Sequence, residues 1–355
     1  MSNTIGKLVT LTLFGESHGE MIGAVLDGLK PGIKIDYNLI DEMLRKRRPT
    51  GNTETKRVER DQYRIVSGVF NDYTTGAPIC ILIPNENVKS SDYDKTRMLA
   101  RPSHADYVAH IKYQGYEDYR GGGHFSGRIT APIVVAGAIV LSYLRQNGIN
   151  VRTHILECGN ILDVDFNDDL SNIEVLDHKD FPIVLDIEDK IISKIEEVKN
   201  NQDSIGGIIQ TAITGLPVGL GEPWFDSMEG VLAKGAFAIG GIKGIEFGSG
   251  FNFKKLTGST ANDPFQNEAG RIITTTNHNG GINGGITNGM PVIFNCAVKP
   301  TPSIAQTQAT INMETNENSE INIIGRHDPA IIRRICPVIT ALTAILIADM
   351  LKISK

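Results

Sequence analysis

The chain has 355 residues, 41% apolar, 21% charged and 6% aromatic, with a formal net charge of −6. That balance gives enough apolar surface for a large core and excludes disordered, fibrous and disulfide-stapled classes. The acidic charge argues against a general nucleic-acid footprint. The N-terminal MSNTIGKL lacks a signal-peptide pattern, and the apolar stretch from Ile335 to Leu351 is interrupted by Pro337 and Asp349, so no membrane span is expected.

In chain order, the first element is a strand in LVTLTLF, where Val9, Leu11 and Leu13 alternate with Thr10 and Thr12. It runs into GESHG, Gly15 to Gly19, which reads as the G-x-S-x-G elbow of serine hydrolases with Ser17 as nucleophile. An elbow requires a helix after the serine. Here Ile22 to Leu26 is a short apolar run closed by Asp-Gly and Pro-Gly, which predicts a second strand and excludes the elbow. Asp36 then precedes Leu39, Ile40, Met43, Leu44 and Arg47 at helical spacing. Further helices are expected from Ala131 to Leu144, from Asp186 to Lys199 and from Pro337 to Lys352. Strand-like runs lie between them in YRIVSGVF, APICILI, GGIIQTAI and PVIFNCAV. The acidic segment 163–181 reads as a peripheral insertion or solvated edge of a single domain spanning 1–355.

Two pairs of segments resemble each other across the halves. GAVLDGLKPG is echoed by GIIQTAITGLPVG, and TGAPICILIP by NGMPVIFNCAVKP. Either these are common Gly/Pro turns or the chain is an internal duplication. Duplication would give an α+β fold of two pseudo-symmetric halves, with mixed antiparallel sheets and helices in a β-α-β sandwich.

Cys80, Cys158, Cys296 and Cys336 have no C-x-x-C spacing, so neither a metal site nor a disulfide framework is expected, and a reducing cytoplasm is the default compartment. Polar chemistry concentrates elsewhere: Ser17 with His18, RKRRP (45–49), RPSH (101–104), YRGGGHFSGR (119–128) and GRHDPAIIRR (325–334). Guanidinium groups grip phosphate and carboxylate bidentately, and glycine lets backbone N–H groups approach an anion, so a small polyanion is the natural ligand. Each segment also has a structural reading. RKRRP suits a helix C-terminus, and a lone histidine is commonly a hydrogen-bonded core residue.

Together, GESHGEMIGAVLDGLKPG, RPSHADY, KYQGYEDYRGGG, FSGR before APIVVAGAI, VKPTPS and GRHDP resemble the chorismate synthase family over nearly the whole chain. The resemblance implies anti-1,4-elimination of phosphate from 5-enolpyruvylshikimate 3-phosphate to give chorismate. It also implies reduced FMN as cofactor with no net redox change, NADPH as a possible reductant, and a homotetramer. It assigns the substrate to Arg48, Arg101, Arg128 and Arg334. His18 falls near the phosphate, His104 near the flavin and Asp328 at proton removal, with Ser17 a polar site residue. The flavin contacts implied are Arg47, His124, Phe125, Ser126, Gly240, Gly241, Gly284, Lys299, Pro300, Thr301, Pro302, Ser303 and Arg326. The chain departs from the family pattern at His124, Phe125 and Ile129, where Arg, Ser and Glu are expected, and at Thr340, where Glu is common. A flavin- or polyanion-binding protein without turnover is the alternative class.

Overall fold

The structure is a computed structural model that describes residues 3–49, 54, 60–86, 97–323 and 328–353. The first half contributes β1 (Thr4–Ile5), β2 (Thr10–Gly15), β3 (Met21–Asp27), α1 (Tyr37–Arg47), β4 (Arg64–Ser67), β5 (Ile79–Pro84), α2 (Asp106–Tyr113) and α3 (Thr130–Gln146). The second contributes β6 (Asn150–Cys158), β7 (Ile161–Leu162), α4 (Glu188–Asn200), β8 (Gly207–Thr214), α5 (Met228–Ala238), β9 (Ile242–Phe247), β10 (Val292–Val298) and α6 (Ile332–Ile353). Two five-stranded antiparallel sheets result, in the orders β1-β2-β3-β5-β4 and β9-β10-β8-β6-β7.

The sheet orders decide between common turns and duplication. With α2, β7 and α4 set aside as insertions, the order β2-β3-α1-β4-β5-α3 has the same element types as β6-β8-α5-β9-β10-α6. Both central strands, β3 and β8, pair with the first strand of their unit, β2 or β6, on one side and with the last, β5 or β10, on the other. The two echoed segment pairs fall on β3 with β8 and on β5 with β10, so the repeat is topological as well as local. The fold is α+β, with helices α1, α3 and α6 packed between the sheets in one continuous core.

Alternation explains which face each strand turns inward. In β5, Ile79, Ile81 and Ile83 are buried while Cys80 and Leu82 are half-buried. Helix α1 starts where Asp36 Oδ1 accepts the Leu39 N–H at 3.0 Å, and it ends with Arg45, Lys46 and Arg47 in its last turn. YRIVSGVF is not one strand. Gly68, at φ +81°, and a register shift at Ile65/Ser67 split it, and Val69–Phe70 turns back onto Tyr73–Thr74.

Three expectations are corrected. The last helix begins at Ile332, five residues before Pro337, so the proline lies inside it. The added turn places Arg333 and Arg334 on the last carbonyls of α1 and is held there by those bonds despite the proline. Segment 163–181 is not a solvated edge: Phe166, Ile173 and Leu176 pack on Ala212 of β8 and Ile293 of β10, covering the outer face of the second sheet. Two stretches, Gly127–Gln146 and Ile332–Lys352, are long and apolar enough to cross a membrane, yet 83% of each is buried within the protein. Their apolar surface is spent on packing against each other and against the sheets.

Candidate active site

GESHG is the turn of the β2–β3 hairpin, closed by the Gly19 N–H donating to the Glu16 carbonyl at 3.1 Å. Asn85, just past β5, clamps both ends of this turn: its Nδ2 donates to the carbonyls of Glu16 (2.9 Å) and Gly19 (2.8 Å). Ser17 is fully buried, its Oγ 3.1 Å from His18 Nδ1 and 3.2 Å from the Arg120 carbonyl. A buried serine in a hairpin turn cannot present an acyl nucleophile.

The glycine run opposite this turn has φ of +60°, +84° and +51° at Gly121, Gly122 and Gly123, a path that side chains disfavour. Gly123 accepts the Ser17 N–H at 3.1 Å. A Cβ on Gly121 would lie 2.2 Å from His18 Cε1. One on Gly122 would lie 3.3 Å from His104 Cε1 and 3.5 Å from its Nε2. His18 and His104 therefore flank neighbouring positions of one glycine loop. Asp118 and Arg120 pair beside it at 2.8 Å. The Arg120 hydrogen bond holds the Asp118 carboxyl below its ordinary range, with His18 adding its charge.

RPSHAD folds around its own aspartate. Asp106 opens α2 and takes the Arg101 backbone N–H at 3.0 Å and the Arg101 guanidinium through two bonds of 2.7 Å. His104 Nδ1 lies 2.7 Å from its Oδ1. Burial alone would raise the Asp106 carboxyl, but the hydrogen bonds and charges of Arg101 and His104 outweigh it and hold that group well below the carboxylate range. The loop is tied to the second half of the fold: Lys299, just after β10, donates its Nζ to the Ser103 carbonyl at 2.7 Å and its backbone N–H to the Gly241 carbonyl at 2.8 Å.

The arginines divide by exposure. Asp61, with no side-chain exposure, receives Arg128, Arg47 (3.4 Å) and Arg48 (3.4 Å). The Arg47 and Arg128 side chains are 3% and 5% exposed, that of Arg48 31%. Arg47 also donates to Thr130 Oγ1 (3.0 Å) and the Gly127 carbonyl (2.8 Å), and Arg128 to Asn85 Oδ1 (3.2 Å) and the Pro84 carbonyl (3.1 Å). Arg128 thus braces Asn85 and through it the GESHG turn, and Arg47 is an internal tie. Of the three, Arg48 is the one whose side chain reaches solvent. Arg334 donates to the Arg47 carbonyl at 2.9 Å and pairs with Asp328 at 2.6 Å. Arg333 pairs with Glu54 at 2.6 Å and donates to the Lys46 carbonyl at 2.9 Å. The two arginines opening α6 thus satisfy the last carbonyls of α1.

The remaining residues named from the family motifs are held as follows. His124 donates Nδ1–H to the Gly15 carbonyl at 2.8 Å, which anchors the end of β2. Phe125 packs against Tyr113 at 6.2 Å, and Ser126 Oγ accepts the Arg128 N–H at 3.3 Å. The stretch Lys299, Pro300, Thr301, Pro302, Ser303 is fastened by Ser204 Oγ donating to the Thr301 carbonyl at 2.7 Å, while Thr301 Oγ1 is buried without a partner. Gly240 has open space where a Cβ would be. Gly284 turns the small hairpin Ile282–Asn283/Ile286–Thr287, next to Gly285, which accepts the N–H of Met228 at the start of α5. Arg326 lies outside the described residues. Sequence reasoning missed Asp61, Asn85, Asp106 and Arg333. Only Asp106, two residues after His104 in RPSHAD, carried a local signal.

Two histidines thus flank one glycine loop, with the Arg101–Asp106 pair beside the second of them. Residues 9–351 match the family model described as chorismate synthase. Chorismate synthases from Dehalococcoides mccartyi strain 195 and Thermococcus gammatolerans are 44% and 41% identical, aligning over 99% and 98% of this chain and 96% of each relative. That of Chitinophaga pinensis is 41% identical over 99% of this chain and 97% of its own. A crystal structure of chorismate synthase superposes with a TM-score of 0.77 at 26% identity, covering 98% of this chain and 93% of that one. The chain belongs to the chorismate synthase family.

Proposed function

We propose that this protein forms chorismate from 5-enolpyruvylshikimate 3-phosphate by anti-1,4-elimination of phosphate, with reduced FMN as cofactor. The observation that carries the reading is the placement of His18 and His104 against Gly121 and Gly122, two proton-carrying groups on one anion-compatible loop. The site fits a flavin. Lys299, its pKa lowered by burial and by neighbouring Lys243, offers a cation to an anionic group; Thr301 Oγ1 is an unpaired buried hydroxyl; and Gly240 leaves open space. When bound there, reduced flavin would supply reversible electron donation to the substrate, with no net oxidation.

The chain's own residues do the rest. Arg48, Arg101 and Arg334 attract the phosphate and carboxylates. Arg128 and Arg47 hold the turn and loop rather than the ligand. His18 donates a proton to the departing phosphate, and Asp328, oriented by Arg334, accepts one. Lys299, Thr301 and Gly240, with Gly241, Ser126 and Arg326, would hold the flavin, and His104 would serve it. NADPH is the candidate reductant, the cytoplasm the compartment and a homotetramer the assembly. Exposed Trp224, Phe225, Phe251 and Phe265 in the second half supply apolar surface for association.

The test is an anaerobic assay of phosphate and chorismate. Both should appear with catalytic amounts of reduced FMN, and neither with oxidised FMN. His18→Ala should slow single turnover by about 10²-fold or more while leaving FMN affinity near normal. Equal turnover without reduced flavin would sink the reading, and FMN binding with no turnover under any condition would favour the non-enzymatic class.

A further inference from the structure

We infer that Asp106 is a positioning residue that fixes His104 in the tautomer carrying its proton on Nδ1, so that Nε2 is the working nitrogen and faces the Gly122 loop. The inference rests on the proposed role of His104. Its physical basis is the 2.7 Å separation of His104 Nδ1 and Asp106 Oδ1. An ionised carboxylate only accepts hydrogen bonds, so a proton must sit between these atoms. Without it two lone pairs would face each other at hydrogen-bond distance.

Arg101 offers the competing arrangement, since its NH2 group is 3.1 Å from the same Nδ1. Guanidinium only donates, so it can bond Nδ1 only if that nitrogen is bare. The same NH2 group already donates to Asp106 Oδ1 at 2.7 Å, and Nε of Arg101 to Oδ2 at 2.7 Å. The carboxylate therefore satisfies the guanidinium and keeps it from claiming the imidazole nitrogen. Nε2 is left on the side of Gly122, the position where a Cβ would stand 3.5 Å from it. Asp106 is itself held at three points, by two guanidinium bonds and by the Arg101 backbone N–H, so it is a rigid support. The bidentate grip also occupies much of Arg101, whose first task becomes locking this support.

Long-range ¹H–¹⁵N correlation spectra of the flavin-free full-length protein at alkaline pH, where imidazole is neutral, read the tautomer directly. His104 should show a protonated Nδ1 and a bare Nε2. Asp106→Asn, whose amide can donate to Nδ1, should shift the population toward Nε2–H and lower kcat at least tenfold, as expected when a catalytic imidazole is left in the wrong tautomer. Because Asp106 acts on turnover through His104, adding Asp106→Asn to His104→Ala should lower kcat at saturating substrate by less than about twofold further, while its effect through Arg101 shows in KM. A wild-type spectrum with bare Nδ1, or an unchanged tautomer in the Asn variant, overturns the inference. Full activity in His104→Ala overturns the role of His104 instead, and the spectra separate that result from a failure of the pairing.

Discussion

Gly121 shows how a missing side chain makes a site. At φ +60°, with His18 Cε1 2.2 Å from where a Cβ would be, alanine there is strained and must displace the imidazole. Gly121→Ala should therefore lower turnover at least tenfold, and the His18 ring resonances should shift. Unchanged His18 resonances would show that the loop does not set the histidine. The arginines separate in the same way. Arg128→Ala removes the nearest of three guanidinium partners of buried Asp61, leaving Arg47 and Arg48 at 3.4 Å, and should cost about 1–3 kcal/mol of stability in urea denaturation. Arg48→Ala, at a side chain about a third exposed, should leave stability within about 1 kcal/mol and weaken substrate binding about tenfold or more. If Arg128→Ala keeps full stability and only affinity falls, Arg128 is a ligand group and not a brace. Asp106 adds a pH dependence of known sign. Its folded pKa lies well below the ordinary 3.8, so its contribution is fully present above that value and is lost as pH falls through the range beneath it. Asp106→Asn should flatten the acid limb of the stability curve below about pH 5 by up to about 1.4 kcal/mol per pH unit. Asp118, Asp163 and Asp177, also held low, keep the remaining slope.

Elements were legible where one periodicity ruled, and blurred where tertiary contacts decided. The alternation of β2, the Asp36-capped α1 and the apolar run of α3 all stand close to their expected bounds. Pro337 misplaced the start of α6, because local rules do not see that Arg333 and Arg334 are needed at the end of α1. His18 and His104 were legible through family motifs, whereas Asp61 and Asn85 matter only because the fold carries them to residues distant in sequence. For the same reason the solvated-edge reading of segment 163–181 fails: its charges advertise solvent, but Phe166 stacks on His154 with ring centroids 4.0 Å apart and lies against the second sheet. Phe166→Ala should cost about 3–5 kcal/mol, the range for truncating a buried aromatic, in chemical denaturation. A loss under about 0.5 kcal/mol would return the segment to a solvated edge.

The topological repeat has a consequence for the molecule as a whole. Each unit ends in a long apolar helix, α3 or α6, that cannot be covered by its own sheet alone, and the two cover each other between the sheets. Their crossing is close: a Cβ on Gly137 of α3 would lie 2.3 Å from the Cβ of Ala341 and 2.5 Å from its carbonyl oxygen. Backbone opposes backbone there, so no rotamer change relieves an added methyl group. The site depends on the same junction, since Arg333 and Arg334 at the start of α6 hold the end of α1, and Lys299 after β10 holds the RPSH loop. The halves are therefore expected to fold as one cooperative unit despite their repeated topology. Gly137→Ala should destabilise by about 1–3 kcal/mol with a single transition in both circular dichroism and fluorescence, and it should lower activity although it lies in the helical core. Two separated transitions, with one half surviving after the other has melted, would show that the units are independent domains and that the crossing does not hold the site together.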